Sequence, residues 1–398
     1  MNNDLTIKAV GDIACGDCTI DGLGIGSLTK KYGCDYPFQN LNGILNNADI
    51  LLGNLEGPLS KKCLTQGLRL CGLPEMAITL KNLGFDVLSV ANNHVFDHGV
   101  EVFNETIEYC NDAGIEICGL RGKSGYYSEP VIIKKNSLTI GVLAYNWVGL
   151  EEVNDEVSQC IATVSDGVLN YTWNRDRVKD IQSRGNLLDK NKEVFNDISK
   201  LRPKVDVLVL MPHWGYEWSN YPAYGVVLEA HSFIEAGVDF IIGSHPHVMQ
   251  GIEKYKNGLI AYSLGNFLFD FSTKKYVSGM ILESELISGK LKNYKLRFIS
   301  WNEDYQPEEA FGSRREKYIE LMDRSTRAIL SVDSEQKLDD DIIYKEYEKK
   351  YNNLKLYNVI FLLKKLPTNP FLIKPIFGKF INLLGLIILH LKGKKVRW

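Results

Sequence analysis

The sequence predicts an α/β fold, on three observations. Short apolar runs recur through the first three quarters of the chain. Amphipathic stretches that stop at glycine separate them. Most of the runs end in Asp, Asn, Glu or His. Apolar runs of about four to eight residues fit strands buried on both faces.

Taken in order, Leu5 to Gly11 reads as a strand ending in Gly-Asp, and Asp49 to Asn54 as one ending in Asn-Leu-Glu. Phe85 to Ala91 ends in Asn-Asn-His. Leu138 to Tyr145 and Val205 to Met211 repeat the form, the second running into Pro-His, and Val238 to Gly243 precedes Ser-His-Pro-His. Helices are expected between them. Pro74 to Leu83 opens with proline in its first turn and stops before Gly84. Val100 to Ala113 and Val226 to Ala236 stop at Gly114 and Gly237, residues that suit a helix end. Leu259 to Ser263, Val277 to Leu286 and Leu291 to Ser300 read as an antiparallel section closing the domain. Glu308 to Val332 and Leu338 to Tyr351 read as charged helices, and Lys355 to Trp398 is basic and apolar. The expected organisation is one domain over residues 1–304 and a helical extension over 305–398.

The net charge of -3 offers no basic excess to neutralise phosphates, which argues against nucleic acid as a partner. The N-terminus carries no secretory pattern: Met1 to Asp4 is polar and Leu5 to Val10 is too short for a signal core. The expected location is therefore the cytoplasm. The chain's 8 cysteines are too sparse for a disulfide scaffold. Cys15 and Cys18 form a CxxC pair, with Cys63 and Cys71 further on. A four-cysteine zinc site is one reading, but the second spacing is wide for it, and ordinary thiols are expected.

The chemistry concentrates at strand ends. His94, His213, His245 and His247 all stand there, and His98 lies one turn beyond His94; His231 and His390 fall elsewhere. A lone histidine is more often a hydrogen-bonded structural residue than a ligand. A set is different. Asp12, Asn54, Glu56, Asn93, His94, His213, His245 and His247 all follow apolar strands, and ligands of α/β sheets sit outside the carboxyl ends of strands. His245 and His247 are two residues apart, so in an extended segment both imidazoles point the same way. Imidazole with carboxylate and amide oxygens suits divalent ions such as Mn, Fe or Zn. One or two such ions are expected.

These motifs resemble the CapA, or poly-gamma-glutamate capsule synthesis, family within the calcineurin-like metallophosphoesterase superfamily. The matching pieces are Ala9-Val10-Gly11-Asp12, Gly53-Asn54-Leu55-Glu56, and Ala91-Asn92-Asn93-His94 with Asp97 and Gly99. They continue with His213-Trp214-Gly215 and Glu217, Gly243-Ser244-His245-Pro246-His247-Val248 with Gln250, and Tyr262-Ser263-Leu264-Gly265-Asn266-Phe267. They keep the family's order over roughly residues 5–287. The resemblance implies a four-layer fold, two β-sheets packed together with helices outside. It implies Asp12, Glu56, Asn93, His213, His245 and His247 as metal ligands, with Glu56 where the superfamily has a bridging Asp. It implies His94 as the catalytic histidine. Asp97 is its candidate orienting partner, with a helix-start role as the alternative. Asn54, Trp214, Glu217 and Asn266 are candidate substrate contacts, with Tyr216 and Trp218 beside them; turn or packing roles are the alternatives. The chain departs from the pattern at Ala14, where the superfamily usually has a ligand histidine, and Glu56 is one methylene longer than Asp.

The expected function is a metal-dependent phosphatase or phosphodiesterase in capsule or surface-polymer synthesis, acting on a small molecule or a polymer precursor. Gamma-glutamyl amide hydrolysis is one alternative; a non-catalytic assembly or binding subunit on the same fold is the other. The run Phe380 to Leu391, flanked by Lys374, Lys379, Lys392, Lys394, Lys395 and Arg397, is too short to span a bilayer. It suits peripheral contact with an anionic membrane, or a helix docked on the protein itself. The sequence does not fix an oligomeric state.

Overall fold

The computed structural model describes residues 4–18, 23–41, 43–63, 70–150, 157, 159–164, 188–270, 278–331, and positions 343, 345, 349, 350 and 353. The sequence expectations for Leu338 to Tyr351 fall largely outside these residues, and those for the basic apolar tail fall wholly outside. Among the described residues, no helix is long and apolar enough to cross a membrane.

Two sheets form the centre. β1 (Asp4–Ile13), β2 (Ile50–Leu55), β3 (Val87–Ser89) and β4 (Glu116–Cys118) run parallel in the first. On the other side of β1, β12 (Gly279–Ile287), β13 (Lys290–Trp301) and β14 (Pro307–Glu309) continue it antiparallel. The short β11 (Asn266–Leu268) pairs parallel with the end of β1. The second sheet is ordered β5 (Val131–Lys135), β6 (Leu138–Asn146), β7 (Val207–His213), β8 (Phe240–Ile242), β10 (Gly258–Ala261), β9 (Ile252–Tyr255). Its interior pairs are parallel, from β6 through β10.

Side-chain alternation along the strands makes the layers. Ile7, Ala9, Leu52 and Val87 of the first sheet share one core with Ile140, Val142, Val207 and Val209 of the second. The other faces bear Leu51, Leu88, Leu208 and Leu210, which pack with helix residues. α1 (Ile25–Tyr32), α2 (Met76–Asn82) and α3 (Val100–Asp112) supply Ile25, Leu80 and Phe103; α4 (Lys192–Leu201) and α5 (Tyr224–Glu235) supply Ile198 and Phe233. Helices outside two stacked sheets are the four-layer arrangement that the resemblance implies.

Three local differences from the sequence reading have physical causes. Gly258–Ala261 joins the second sheet, parallel to β8, not the antiparallel section. Alternation alone does not say which sheet a short apolar strand enters. Pro307–Glu309 is an edge strand, so α6 (Gly312–Leu330) starts later than expected. Proline is tolerated at a strand's first position, where no ladder donor is required. Residues just beyond 305 also pack on the main body, with Met322 and Ile329 buried in its cores.

The site end of β1 depends on a close backbone approach. A Cβ at Gly11 would overlap the carbonyl oxygen of Gly265, and Asp12 N–H donates to that same oxygen at 2.9 Å. Gly265 itself has φ +68°, in the left-handed region that glycine adopts without strain. Gly11→Ala is therefore expected to destabilise the protein by about 1–3 kcal/mol, since rigid backbone stands where the methyl would go. Urea unfolding measures it; a change within about 0.5 kcal/mol, as for an ordinary surface substitution, would show that the crossing is loose.

Candidate metal centre

The carboxyl ends of both sheets converge on one buried cluster. Asp12 at the end of β1 is flanked in register by Asn54 of β2 and Asn266 of β11. Asn54 Nδ2 donates to Asp12 Oδ1 at 2.9 Å. Glu56 follows β2, held by its N–H donating to Ile13 O. From the second sheet, His213 closes β7, and the turn after β8 carries His245 and His247.

The distances define one neighbourhood. His213 Nε2 lies 2.8 Å from Asn93 Oδ1 and 3.8 Å from Glu56 Oε1. His247 Nε2 lies 3.6 Å from Glu56 Oε1, and its Nδ1 lies 3.3 Å from Asp12 Oδ2 and 3.0 Å from Asn266 Oδ1. The rings of His213 and His245 are 4.8 Å apart. Ligand atoms of Glu56, His245 and His247 lie within 4.8 Å of one another, as do those of Asp12, Glu56 and His213. Glu56 belongs to both groups. The structure thus brings together all six side chains expected as ligands.

The expected reason for the His245–His247 juxtaposition is corrected. The segment is not extended: His245 has φ +93° and His247 +56°. Positive φ is costly for a side chain bearing a Cβ and tends to collect at functional sites. The two rings converge, 5.9 Å apart, through this turned backbone.

The donors fit a divalent cation. Glu56 is fully buried, and neither of its carboxylate oxygens has a hydrogen-bond partner among the described residues. Burial, then the nearby Asp12 carboxylate, raises its pKa well above the ordinary carboxylate value. Both ring nitrogens of buried His245 likewise have no hydrogen-bond partner. Burial, then neighbouring imidazoles, pushes the pKa values of His213 and His245 well below the usual histidine value. Both rings are then neutral at neutral pH and offer lone pairs. Buried carboxylate oxygens without donors among the described residues, beside the unpartnered ring of His245, are what a cation would satisfy.

His94 and Asp97 stand at the rim. His94 Nδ1 lies 3.0 and 3.2 Å from the two Asp97 oxygens. The Asp97 side chain is 5% exposed and that of His94 23%, so the imidazole is the reachable member. Gly99, not Asp97, occupies the N-cap of α3. Among the expected substrate contacts, Asn54 and Asn266 hold Asp12 and His247. Glu217 is buried near His94 and His247, whose charges oppose the burial that raises its pKa. Trp214 packs in the apolar core, with its indole N–H donating to Tyr262 O at 2.9 Å. Trp218 lies against the His247 ring, centroids 5.5 Å apart.

Sequence reasoning missed two supports. Ser244 Oγ contacts His213 Nδ1 at 2.9 Å and orients that ring. Asn92 Nδ2 donates to Asn54 Oδ1 and Leu55 O, while its Oδ1 accepts from His94 N–H. Both are polar neighbours of motif histidines, and that adjacency was the available signal. Ala14 is fully buried with Leu70 and Phe269, and Phe269 packs edge-on against His247 at 4.8 Å. Apolar side chains surround Ala14, where the resemblance implied a ligand histidine. The expectation of ordinary thiols at Cys63 and Cys71 is also corrected: these two form a disulfide. Cys15 and Cys18 are free thiols, so the four-cysteine zinc reading is not what the structure holds.

The family model described as "Bacterial capsule synthesis protein PGA_cap" matches residues 6–271. The capsule biosynthesis protein CapA of Bacillus anthracis is 29% identical over 279 residues, which is 68% of this chain and 61% of that protein. The PGA biosynthesis protein CapA of Bacillus subtilis (strain 168) is 29% identical over 280 residues, 67% of this chain and 63% of that protein. The chain thus spans about three fifths of the length of these relatives. Among solved structures, a 5'-nucleotidase from Candida albicans SC5314 superposes with a TM-score of 0.38 at 10% identity, covering 83% of this chain and 59% of that one.

A raised carboxyl pKa contributes stability at low pH that is lost as pH rises through its folded value. Metal-free protein therefore bears an unfavourable cost at Glu56 at neutral pH, whether the carboxyl is charged or takes up a proton. Glu56→Gln is expected to leave the metal-free protein as stable or more stable at pH 7. It should abolish the stabilisation by added Mn2+ or Zn2+, about 2.7 kcal/mol for the wild type at a hundredfold excess over Kd. Thermal unfolding with and without metal tests both; an unchanged metal response in the variant would remove Glu56 from the ligand set.

Proposed function

Because the chain belongs to the bacterial capsule synthesis protein family, we propose that it is a metal-dependent hydrolase cleaving a phosphoester of a capsule or surface-polymer precursor. One observation carries the reading: a fully buried Glu56 carboxylate without hydrogen-bond donors among the described residues, set among neutral imidazoles and a second carboxylate. Asp12, Glu56, Asn93, His213, His245 and His247 would hold one or two divalent ions of the Mn, Fe or Zn kind. Such an ion polarises a phosphoryl oxygen and acidifies water toward a pKa of ~7.

The chain's own groups do the rest. With Nδ1 held by Asp97, His94 exchanges its proton through Nε2 and protonates the leaving oxygen as general acid. Asp97 fixes the orientation of the ring. Asn266 holds His247 through Oδ1, while its buried Nδ2 has no hydrogen-bond partner among the described residues and is a donor for a substrate oxygen. Buried Trp218 lies against His247, and buried Glu217 lies near His247 and His94.

A second reading has its own observation. Apolar packing around Ala14 removes one ligand position, which favours a scaffold that binds a polymer or its assembly partners without turnover. A gamma-glutamyl amide is the alternative bond for the same activated water.

Turnover of phosphomonoesters, phosphodiesters and gamma-glutamyl peptides by the metal-loaded chain separates these readings. His94→Ala is expected to lower kcat by about 10²–10⁴ with bound metal unchanged. Metal-loaded protein that turns over none of these substrates would leave the scaffold reading. The basic tail is proposed to bring the protein to an anionic membrane face. Deleting residues 368–398 should then reduce co-sedimentation with anionic liposomes, and undiminished binding would end that idea.

A further inference from the structure

A second cluster of ligating side chains lies outside the centre described above. The sulfurs of Cys63 and Cys71 and a ring nitrogen of His98 all lie within 4.8 Å of one another, and all three residues are half-buried. We propose that Cys63, Cys71 and His98 form a zinc site that is open only when the Cys63–Cys71 disulfide is reduced.

The backbone on either side is held by interactions other than the disulfide. Ser60 N–H donates to Gly72 O at 3.1 Å, and Gly72 N–H donates to Pro58 O at 2.9 Å. The same segment is fastened to α3: Leu59 N–H donates to Thr106 Oγ1 at 2.9 Å, and Ser60 Oγ to Glu105 Oε2 at 2.5 Å. His98 directly precedes the N-cap of that helix. Both cysteines and the histidine therefore take their positions from one rigid element. Two cysteine thiolates and an imidazole are a ligand set that zinc accepts, with water in the fourth place. Zinc–sulfur bonds of ~2.3 Å at a tetrahedral angle set the sulfurs about 3.8 Å apart. The Cα atoms, 6.3 Å apart, allow that separation by rotation of the side chains.

The chemistry balances. A thiol reductant supplies two electrons and two protons to the disulfide and is itself oxidised to a disulfide. The two new thiols then lose their protons to solvent as zinc binds the thiolates. Oxidation reverses the sequence and expels the ion. The consequence is local: His94 and Asp97 share a turn with His98, so zinc would tie that turn to the 58–72 segment, and the disulfide alone would not.

Cobalt(II) is the probe, added to the full chain after reduction by a phosphine. Thiolate ligation gives an intense near-ultraviolet charge-transfer band, which the carboxylate and imidazole centre cannot give. Reduced wild type should show this band, and peroxide-oxidised wild type should not. Cys63→Ser with Cys71→Ser should lose the band yet keep the weak visible bands of cobalt at the other centre. His98→Gln should bind this cobalt more weakly. No band in the reduced wild type, a band surviving the double substitution, or undiminished affinity in His98→Gln would each overturn the proposal. The oxidised wild-type control makes the test independent of how well the variants fold.

Discussion

The arrangement turns on one unfavourable burial. Glu56 is buried, receives no hydrogen bond from the described residues, and has Asp12 close enough to raise its pKa further. An isolated carboxylate in such a place costs several kcal/mol. Folding that puts it there is sensible only if something else neutralises it. Protonation is one solution and a cation is the other. Neutral His213 and His245 stand in the same cluster, and a cation would draw on the carboxylate and the imidazoles together.

Holding such a cluster together demands rigid placement, and the fold supplies it at strand ends. Asp12 lies in register with Asn54 and Asn266, so three polar side chains form a row across the sheet. The row is tight because β1 and the Gly265 backbone nearly touch at Gly11. The second sheet brings His213 on a strand, while His245 and His247 come on a turn with unusual backbone angles. Ser244 and Asn92 then fix ring orientation and loop position by hydrogen bonds. Part of the stability gained in the shared core is thus spent on holding the ligands.

Much of this was legible in the sequence. Long apolar strands such as β1, β6 and β7 declare themselves by composition, and their ends mark the site because α/β folds place ligands there. The clustered side chains were singled out for that reason, and their order matches a family pattern. What was not legible is non-local. Glu116–Cys118 and Asn266–Leu268 are too short to show a period, and only partner strands define them. Gly258–Ala261 reads as a strand but carries no sign of which sheet it joins. The left-handed backbone at His245 and His247 contradicts local preference, and only the gathered cluster explains it. Cys63 and Cys71 meet within the span that the parallel Leu59–Gly72 bridge closes. Spacing alone does not reveal that pairing.

The loss of a ligand at Ala14 makes the proposed centre asymmetric. Ligand atoms of Glu56, His245 and His247 gather in one group and those of Asp12, Glu56 and His213 in another. On the His247 side the neighbouring space is apolar: Phe269 packs edge-on against that ring, with Ala14 and Leu70 beside it. Apolar packing there does more than omit a donor, because it also keeps water from replacing one. An ion on that side would be the weaker held, and a bound ligand would have to complete its coordination. Alanine at position 14 therefore fits the proposed centre best as one completed by what it binds.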